Sequence, residues 1–356
     1  MMTNAQRAMD AVEADVLVAS DPSTVAWLTG FAQDVISGPS TFACPPLAVV
    51  RGGEVTLVCS EDEAPAAASL GAKTATYEGF TTGLLDPAKS LAETVRGLSI
   101  RGRISIEADS LPLAVAHVLE WNATGALVDV GQTVAPLRAV KTLSEIEAIR
   151  RSIAICDVGQ AAARAAFVAG LDELAAWSEI QAAMEAAAGE RLLLLCDIAT
   201  GERSAEIGGP PSGRVLAEGD LVICDLVPRR GAFWGDSCST IAVGEPPVGA
   251  RDTHQRACDT LAELVGAVRP GVVAGELDRL GRASGLGYPH HTGHGIGVAN
   301  HEAPRIVPGD ATVLEPGMVV ALEPGHYESR WGLRVEQVCL VTDDGCEVLS
   351  GHRLSL

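Results

Sequence analysis

Residues 221–240 read LVICDLVPRRGAFWGDSCST, an apolar strand up to Asp225, a polar turn and a returning strand that carries Asp236. A turn centred between Arg230 and Gly231 places the two aspartates directly opposite each other. Directly opposed residues of an antiparallel pair have Cβ atoms roughly 4.5–5.5 Å apart. Two carboxylates at that distance repel each other unless a cation lies between them. The stretch therefore predicts a β-hairpin that holds a metal ion.

A second stretch, ALEPGHYESRWGLRVEQVCLV at residues 321–341, has the same construction. A turn near Ser329 and Arg330 places Glu323 and Glu336 symmetrically on its two strands. The chain is therefore expected to present a second acidic pair on a second hairpin.

Histidines are concentrated between these two hairpins. Residues 288–304 read YPHHTGHGIGVANHEAP and hold four of the eight histidines of the chain, His290, His291, His294 and His301. Gly293 and Gly295 flank His294, and glycine lets the backbone approach a ligand closely. His294 is therefore the predicted nitrogen ligand.

Each motif by itself has an ordinary explanation. Glu-Pro-Gly, which begins at Glu315 and again at Glu323, indicates only a turn, and GHGIG lacks the G-x-G-x-x-G spacing of a dinucleotide site. His301-Glu302 is not followed by the second histidine of an H-E-x-x-H zinc motif. What favours a metal centre is the conjunction of two acidic pairs and a histidine in one order along the chain.

The region up to residue 137 predicts an α/β layer domain. Two of its strands meet at Gly52-Gly53 and predict a hairpin. Apolar residues recur at near-helical spacing between Ser110 and Asn122, at Leu111, Val115, Leu119 and Trp121. The predicted strands are residues 15–19, 47–50, 54–59 and 104–106.

A second domain is expected from residue 138 to residue 356. Thr142-x-x-Glu145 and Ser144-x-x-Glu147 each offer a capping box for a helix with an apolar face at Ile146, Ile149, Ile153 and Cys156. Further helices are predicted at residues 172–188 and 251–268, and from residue 221 onward short strands and Gly-rich turns dominate the remainder.

With these residues in place, the sequence resembles the pita-bread metallopeptidases, in the branch of Xaa-Pro dipeptidase (prolidase), aminopeptidase P and creatinase. DVLVASDPSTVAWLTGF at residues 15–31 is similar to the start of that family's N-terminal domain, and RAVKTLSEIEAIRRS at residues 138–152 to the first helix of its catalytic domain. The resemblance implies an α/β (α+β) protein: a creatinase-type N-terminal α/β domain, residues 1–137, and a pita-bread catalytic domain with a curved antiparallel sheet, residues 138–356.

The resemblance also implies a site. Two divalent metal ions would be held by Asp225, Asp236, His294, Glu323 and Glu336. His290 and His301 would contact the substrate and stabilise the intermediate, Arg334 would orient the site, and Glu323 would also carry protons. Manganese is the first expectation, and the donors also suit cobalt, zinc or iron.

The function that this implies is a dinuclear metal-dependent hydrolase that cleaves Xaa-Pro dipeptides or N-terminal Xaa-Pro bonds through a metal-bridging hydroxide. One alternative is a small-molecule enzyme of the same fold, an ectoine-type hydrolase or a sulfoniopropionate lyase, and another is a non-catalytic binding module. Two departures bear on the choice: Ser239 replaces a frequent arginine, and Gly208 stands where peptidase members have a substrate-facing histidine. A strict Xaa-Pro peptidase would then need another donor, from Arg203 or Arg334.

Composition narrows the partners. The 356 residues include 26 Lys+Arg and 46 Asp+Glu, a net charge of -20, and only 4% are aromatic, which argues against nucleic acid and an anionic membrane face. No apolar stretch approaches the ~20 residues of a membrane span, and no signal peptide is recognisable, so a cytoplasmic location is expected. The nine cysteines form no Cys-x-x-Cys pair and are expected to be buried thiols. A homodimer acting on a small peptide or small molecule is expected.

Overall fold

The computed structural model describes residues 2–33, 43–79 and 86–356. The chain divides into two units, Met1–Arg138 and Ala139–Leu356. Across the described ranges, no helix combines the length and the apolar character needed to cross a membrane.

A mixed sheet forms the centre of the first unit. Its strands are β1 Val16–Ala19, β2 Leu47–Arg51, β3 Glu54–Ser60, β4 Thr74–Tyr77, β5 Ile104–Ile106 and β6 Val128–Asp129. They lie in the order β4-β3-β2-β1-β5-β6. All four residues of β1 are buried, because strands pair with it on both sides and helices pack on the sheet. The helices of this unit are α1 Asn4–Ala11, α2 Pro22–Thr29, α3 Ala64–Ser69, α4 Pro87–Gly97, α5 Leu113–Glu120 and α6 Gly131–Val134, followed by a 3₁₀ turn at Ala135–Arg138.

The predicted hairpin of this unit is confirmed, since Arg51 pairs with Glu54 around Gly52 and Gly53. Both glycines have positive φ, 57° and 84°, a conformation that two-residue hairpin turns require. The helical stretch after residue 110 is shorter than the pattern suggested, and its Trp121 is 91% exposed instead of buried.

The second unit combines helices with antiparallel sheets. The helices are α7 Leu143–Ala166, α8 Glu173–Ala188, α9 Ala250–Ala267 and α10 Ala274–Ala283. The strands are β7 Leu193–Thr200, β8 Leu221–Arg230, β9 Phe233–Trp234, β10 Cys238–Ala242, β11 Gly293–Gly295, β12 Glu302–Ile306, β13 Val319–Leu322, β14 Gly325–Tyr327, β15 Gly332–Arg334, β16 Gln337–Val341 and β17 Cys346–Val348. They form three sheets, with the strand orders β10-β8-β7, where β9 also pairs with β8, then β12-β11-β13-β16-β17, and β14-β15. The expected fold class is confirmed in both units.

Helix α7 begins as predicted. Thr142 is its N-cap and forms the capping box with Glu145, and the four apolar residues named above are all buried. Helix α10 was not predicted, because its buried positions at helical spacing include polar and small residues that hide the pattern: Ala274, Leu277, Asp278 and Gly281.

The first acidic hairpin has a different register from the predicted one. Arg230 pairs with Phe233 and Asp225 pairs with Cys238, so the turn lies one residue further along, at residues 231–232. Asp225 and Asp236 are therefore diagonal neighbours and not direct partners. Because side chains alternate between faces with a period of two, the two-residue offset leaves both on the same face.

The second acidic hairpin has the predicted register. Leu322 pairs with Gln337 and Gly325 pairs with Arg334, so Glu323 and Glu336 lie opposite each other in the interval between these pairs.

All nine cysteines are free thiols, as expected. Five are buried, at positions 59, 156, 224, 238 and 339, and the other four are partly exposed, so the expectation of burial holds for only part of the set.

Candidate metal centre and active site

Asp236 lies in an irregular stretch, residues 235–237, between β9 and β10. Gly235 packs directly against α7: a Cβ at this position would lie 2.6 Å from the carbonyl carbon of Ser152. The Ser152 hydroxyl also donates a hydrogen bond to the carbonyl oxygen of Phe233, at 2.9 Å. Helix α7 therefore determines where the Asp236 carboxylate lies.

Backbone contacts join the two acidic hairpins. The Glu336 N–H donates to the carbonyl oxygen of Cys238 at 3.0 Å. The Thr240 hydroxyl donates to the Arg334 carbonyl oxygen at 2.8 Å and accepts from the Arg334 N–H at 2.9 Å. These bonds place both acidic pairs at one cleft.

His294 lies in β11, beside β13, and is oriented as a metal ligand would be. Its Nδ1 donates to the Gly295 carbonyl oxygen at 3.0 Å, which leaves Nε2 as the acceptor nitrogen. Nε2 lies 3.6 Å from Asp236 Oδ2 and 3.5 Å from Glu323 Oε1. Burial lowers the pKa of His294 to about 3, so the imidazole is neutral at physiological pH.

The predicted ligands meet in one cavity of about 180 Å³. Ligand atoms of Asp236, His294 and Glu336 all lie within 4.8 Å of one another. The lining residues are Leu195, Cys196, Asp197, Asp225, Val227, Asp236, His294, Asn300, His301, Glu323 and Glu336. The structure thus brings together all five residues that were predicted as ligands.

The carboxylates of this cavity have unequal affinities for protons. Burial, with repulsion from Asp197 and Glu323, raises the pKa of Asp225 to about 6 although Arg334 opposes the shift. Burial, with repulsion from the neighbouring carboxylates, also raises the pKa values of Asp236 and Glu336 well above the usual range.

Glu323 behaves in the opposite way. Burial opposes its ionisation, but a hydrogen bond from His291 and the positive charge of Arg334 outweigh burial and hold the pKa of Glu323 well below its usual range. The distance from His291 Nε2 to Glu323 Oε1 is 2.7 Å.

The donor set fits divalent metal ions. Asp225 Oδ1 and Glu336 Oε1 are buried and have no hydrogen-bond partner in the part of the chain that the structure describes, although a buried acceptor without a partner is costly. Four carboxylates balance the charge of two divalent cations, and oxygen-rich ligation with one imidazole suits manganese, cobalt, iron or zinc.

The three remaining predicted residues occupy different positions. His301 lines the cavity, and its ring centroid lies 3.9 Å from that of His294. Arg334 is only 4% exposed, and its Nη2 donates to Asp225 Oδ2 at 2.5 Å. His290 does not line the cavity; its Nε2 contacts the Tyr327 hydroxyl at 3.0 Å.

Sequence reasoning did not assign roles to His291, Tyr327 or Asp197. His291 bonds Glu323, and the Tyr327 hydroxyl lies between His290 and Arg334, 3.3 Å from Arg334 Nη1. Two signals were available: Tyr327 follows Glu323 by four residues and so shares its face of the hairpin, and Asp197 is a lone charge in an apolar run.

Of the two arginines named as alternatives for the extra donor, Arg203 does not supply it. Its Nη1 forms an ion pair with the fully buried Glu173, and its Nη2 donates to the Pro210 carbonyl oxygen at 2.8 Å. Ser212 N–H also donates to Glu173, at 2.8 Å. Arg203 therefore anchors the loop that carries Gly208 and does not line the cavity.

Comparison with known proteins agrees with this architecture. Residues 147–343 match the model of metallopeptidase family M24, and residues 1–140 match the creatinase/prolidase N-terminal domain. The chain is 34% identical over 221 residues to an Xaa-Pro dipeptidase of Pyrococcus furiosus, a match that covers 60% of this chain and 64% of that protein, less than two thirds of its length. It is 30% identical over 265 residues to the uncharacterized peptidase YqhT of Bacillus subtilis, which covers 72% of this chain and 75% of that one.

Among solved structures, the prolidase of Pyrococcus horikoshii OT3 superposes with a TM-score of 0.83 at 26% identity. The superposition covers 99% of this chain and 98% of that chain, so the similarity extends over both units.

Proposed function

The chain belongs to metallopeptidase family M24, and we propose that it is a dinuclear metal-dependent hydrolase that cleaves Xaa-Pro dipeptides or N-terminal Xaa-Pro bonds. The observation that carries the proposal is the convergence of four carboxylates and a neutral imidazole on one cavity. Two of the buried carboxylate oxygens lack a partner among the residues that the structure describes. The dipeptidase and prolidase relatives supply the substrate class.

In this proposal Asp225, Asp236, His294, Glu323 and Glu336 hold two divalent ions. When bound, such ions supply a nucleophilic water at neutral pH and polarise the scissile carbonyl. Arg334 holds Asp225 in place through its 2.5 Å contact, and Tyr327 helps to hold Arg334.

Glu323 has a second role, as the proton carrier. Its bond with His291 holds the carboxylate in one orientation at the cavity, where it can accept a proton from the attacking water. The same carboxyl group then returns the proton to the leaving amine.

His301 is proposed as the residue that stabilises the developing negative charge. It lines the cavity beside His294, and in this proposal a ring N–H of His301 donates to the oxygen of the substrate carbonyl. His290, behind Tyr327, would position that tyrosine and Arg334.

A second candidate is a metalloenzyme that acts on a small zwitterion, of the ectoine-type hydrolase or sulfoniopropionate lyase kind. The observation that favours it is Gly208, which offers no side chain to the cavity and lies against the Asp197 carboxylate. A non-catalytic binding module is disfavoured, because such a module has no need of buried carboxylate oxygens, such as Asp225 Oδ1 and Glu336 Oε1, that lack a partner among the described residues.

The test combines metal removal with a substrate panel. The protein is stripped with a chelator, reloaded separately with manganese, cobalt, zinc or iron, and assayed on Xaa-Pro dipeptides, longer Xaa-Pro peptides, creatine and ectoine. We expect hydrolysis of Xaa-Pro peptides only after reloading, and a lower melting temperature for the stripped protein. If the fully metal-loaded protein turned over only creatine or ectoine, the second candidate would be the function. Unchanged activity after removal of the metal would refute the metal site.

A preference for manganese, a homodimer, a cytoplasmic location and a domain boundary after residue 137 stay predictions. Light scattering that gave a 36.8 kDa particle at micromolar concentration would contradict the dimer.

A further inference from the structure

Asp197 is a carboxylate that the proposed mechanism does not use. It lies in β7 and pairs directly with Asp225 of β8. Direct partners in a sheet project to the same face, so Asp197 is directed toward the ligand side of the sheet. It lines the cavity, and its side chain is 41% exposed, against 14% for Asp225. Asp197 therefore lies at the mouth of the cavity.

Few groups of the protein compensate the negative charge of the Asp197 carboxylate. Its nearest cation is Arg334, whose Nη2 is 3.6 Å from Asp197 Oδ2 but 2.5 Å from Asp225 Oδ2. The other terminal nitrogen of Arg334 donates to the Ile207 carbonyl oxygen at 2.9 Å. No hydrogen-bond donor within the described ranges reaches the Asp197 side chain.

Gly208 makes this position possible. A Cβ at residue 208 would lie 2.1 Å from Asp197 Oδ2, closer than nonbonded atoms approach. A side chain at residue 208 and the observed Asp197 conformation therefore exclude each other. At this point Asp197 lines the cavity, and the backbone of Gly208 lies against its carboxylate.

Asp197 changes the net charge of the metal-loaded site. Two divalent ions and Arg334 carry five positive charges, and the four carboxylate ligands carry four negative charges. Without Asp197 the loaded site would carry one net positive charge with a neutral water and none with a hydroxide. Asp197 makes the loaded site neutral or negative and places its own negative charge at the mouth.

We propose that Asp197 over Gly208 forms an anionic subsite that binds an ammonium group of the substrate and disfavours a carboxylate at the same place. The inference rests on the proposed function and specifies its substrate class: peptides or amides with a cationic group beside the scissile bond. That group is either the α-ammonium of the first residue or the ammonium of a lysine side chain.

The kinetic test uses Asp197→Asn, which keeps the shape of the side chain and removes its charge. Glu206→Gln is the matched control, because Glu206 is exposed in the same loop and does not line the cavity. With manganese-loaded protein, kcat/KM is measured for Ala-Pro against lactyl-Pro, for Lys-Pro against norleucyl-Pro, and for Ala-Pro against Ala-Pro amide.

We expect Asp197→Asn to reduce the preference for the cationic member of one of the first two pairs by roughly fivefold, as for a partly exposed charge pair. In the third pair the variant should tolerate the free carboxylate better than the wild type does. Glu206→Gln should leave all three ratios unchanged. Equal ratios in wild type and Asp197→Asn would overturn the inference.

A binding measurement keeps this test separate from the proposed function. Calorimetric titration of the manganese-loaded protein uses alaninamide for an α-ammonium, Nα-acetyl-lysinamide for a side-chain ammonium and Nα-acetylalaninamide as the neutral control. One of the two cationic probes should bind the wild type roughly fivefold more tightly than it binds Asp197→Asn. That result supports the subsite even if no peptide is hydrolysed, whereas hydrolysis with identical binding by both proteins refutes it. Asp197→Ser repeats the measurement if Asp197→Asn proves poorly folded.

Discussion

The two acidic hairpins present their carboxylates in different ways. Asp225 and Asp236 lie diagonally, because Asp225 pairs with Cys238, whereas Glu323 and Glu336 lie directly opposite each other. Direct partners in a sheet have Cβ atoms roughly 4.5–5.5 Å apart and diagonal neighbours roughly 7–8 Å apart. The first pair is therefore wider at the backbone than the second, although both face one cavity.

The reason for the difference is what each hairpin packs against. The return strand of the first hairpin is irregular at residues 235–237, where Gly235 contacts α7. The second hairpin keeps one register from β13 and β16 through to β14 and β15. We conclude that tertiary packing on α7 positions Asp236, while the local turn positions Glu323 and Glu336.

The largest expected effect comes from the second hairpin. Glu323→Gln keeps the shape of the side chain but removes the proton carrier, so kcat should fall roughly a hundredfold or more. Metal content should fall much less than activity, as measured by elemental analysis. Glu328→Gln, an exposed substitution in the turn of the same hairpin, is the control and should retain activity. If Glu323→Gln kept most of its activity, Glu323 would not be the proton carrier.

The second largest effect is expected at the contact between Gly235 of the first hairpin and helix α7. Gly235→Ala places a Cβ 2.6 Å from the Ser152 carbonyl carbon, and the resulting overpacking should cost roughly 2–3 kcal/mol of unfolding free energy in urea. Metal affinity should also decrease, because Asp236 follows directly.

The turn of that hairpin provides the control. Gly231→Ala, at a φ of 57° with nothing within 4 Å, should cost only about 1 kcal/mol and leave metal affinity unchanged. Equal costs for the two variants would contradict the dependence of the first hairpin on α7.

A smaller effect is expected where the hairpins meet. Thr240→Val removes the hydroxyl that bonds both the N–H and the carbonyl oxygen of Arg334. Among the described residues, the buried N–H is then left without a partner and the carbonyl oxygen keeps only the weak contact from the Cys238 thiol, at 3.9 Å. The free energy of unfolding in urea should fall by about 2 kcal/mol, and metal binding should weaken. Thr240→Ser, which keeps the hydroxyl, should recover most of both; failure to do so would assign the loss to packing of the methyl group instead.

The smallest predicted effect lies outside both hairpins and concerns acid. Burial lowers the pKa of His254 to about 4 from its ordinary value of 6.5. Between these values the unfolded chain binds a proton that the folded chain does not, so stability falls as the pH decreases from 6.5 toward 4.

Between pH 7 and pH 5.5 this histidine should account for a loss of about 1 kcal/mol. Urea unfolding of chelator-treated wild type and His254→Gln at both pH values measures it, and the variant should lose correspondingly less. The loss that persists in the variant belongs to other groups, the acidic hairpins and their histidines included. An identical pH dependence in both proteins would exclude His254 as a source.

Local patterns predicted the parts of the molecule that depend on short-range physics. The Gly52-Gly53 hairpin, the capping box of α7 and the register of the Glu323–Glu336 hairpin each follow from a turn or a cap a few residues away. The five residues expected as ligands also meet in one cavity, because residue type and order along the chain carry that information.

The sequence by itself determined the fold class, the acidic character of the site and the five residues expected as ligands. Alternation and capping are local properties, and the order of the carboxylates and histidines matches that of a known family. Only the tertiary structure decided the register at Asp236, the exposure of Trp121, the capture of Arg203 by Glu173 and the position of Asp197 over Gly208. Each of these depends on atoms far apart in the chain, where a shift of one residue or one missing Cβ changes which groups touch.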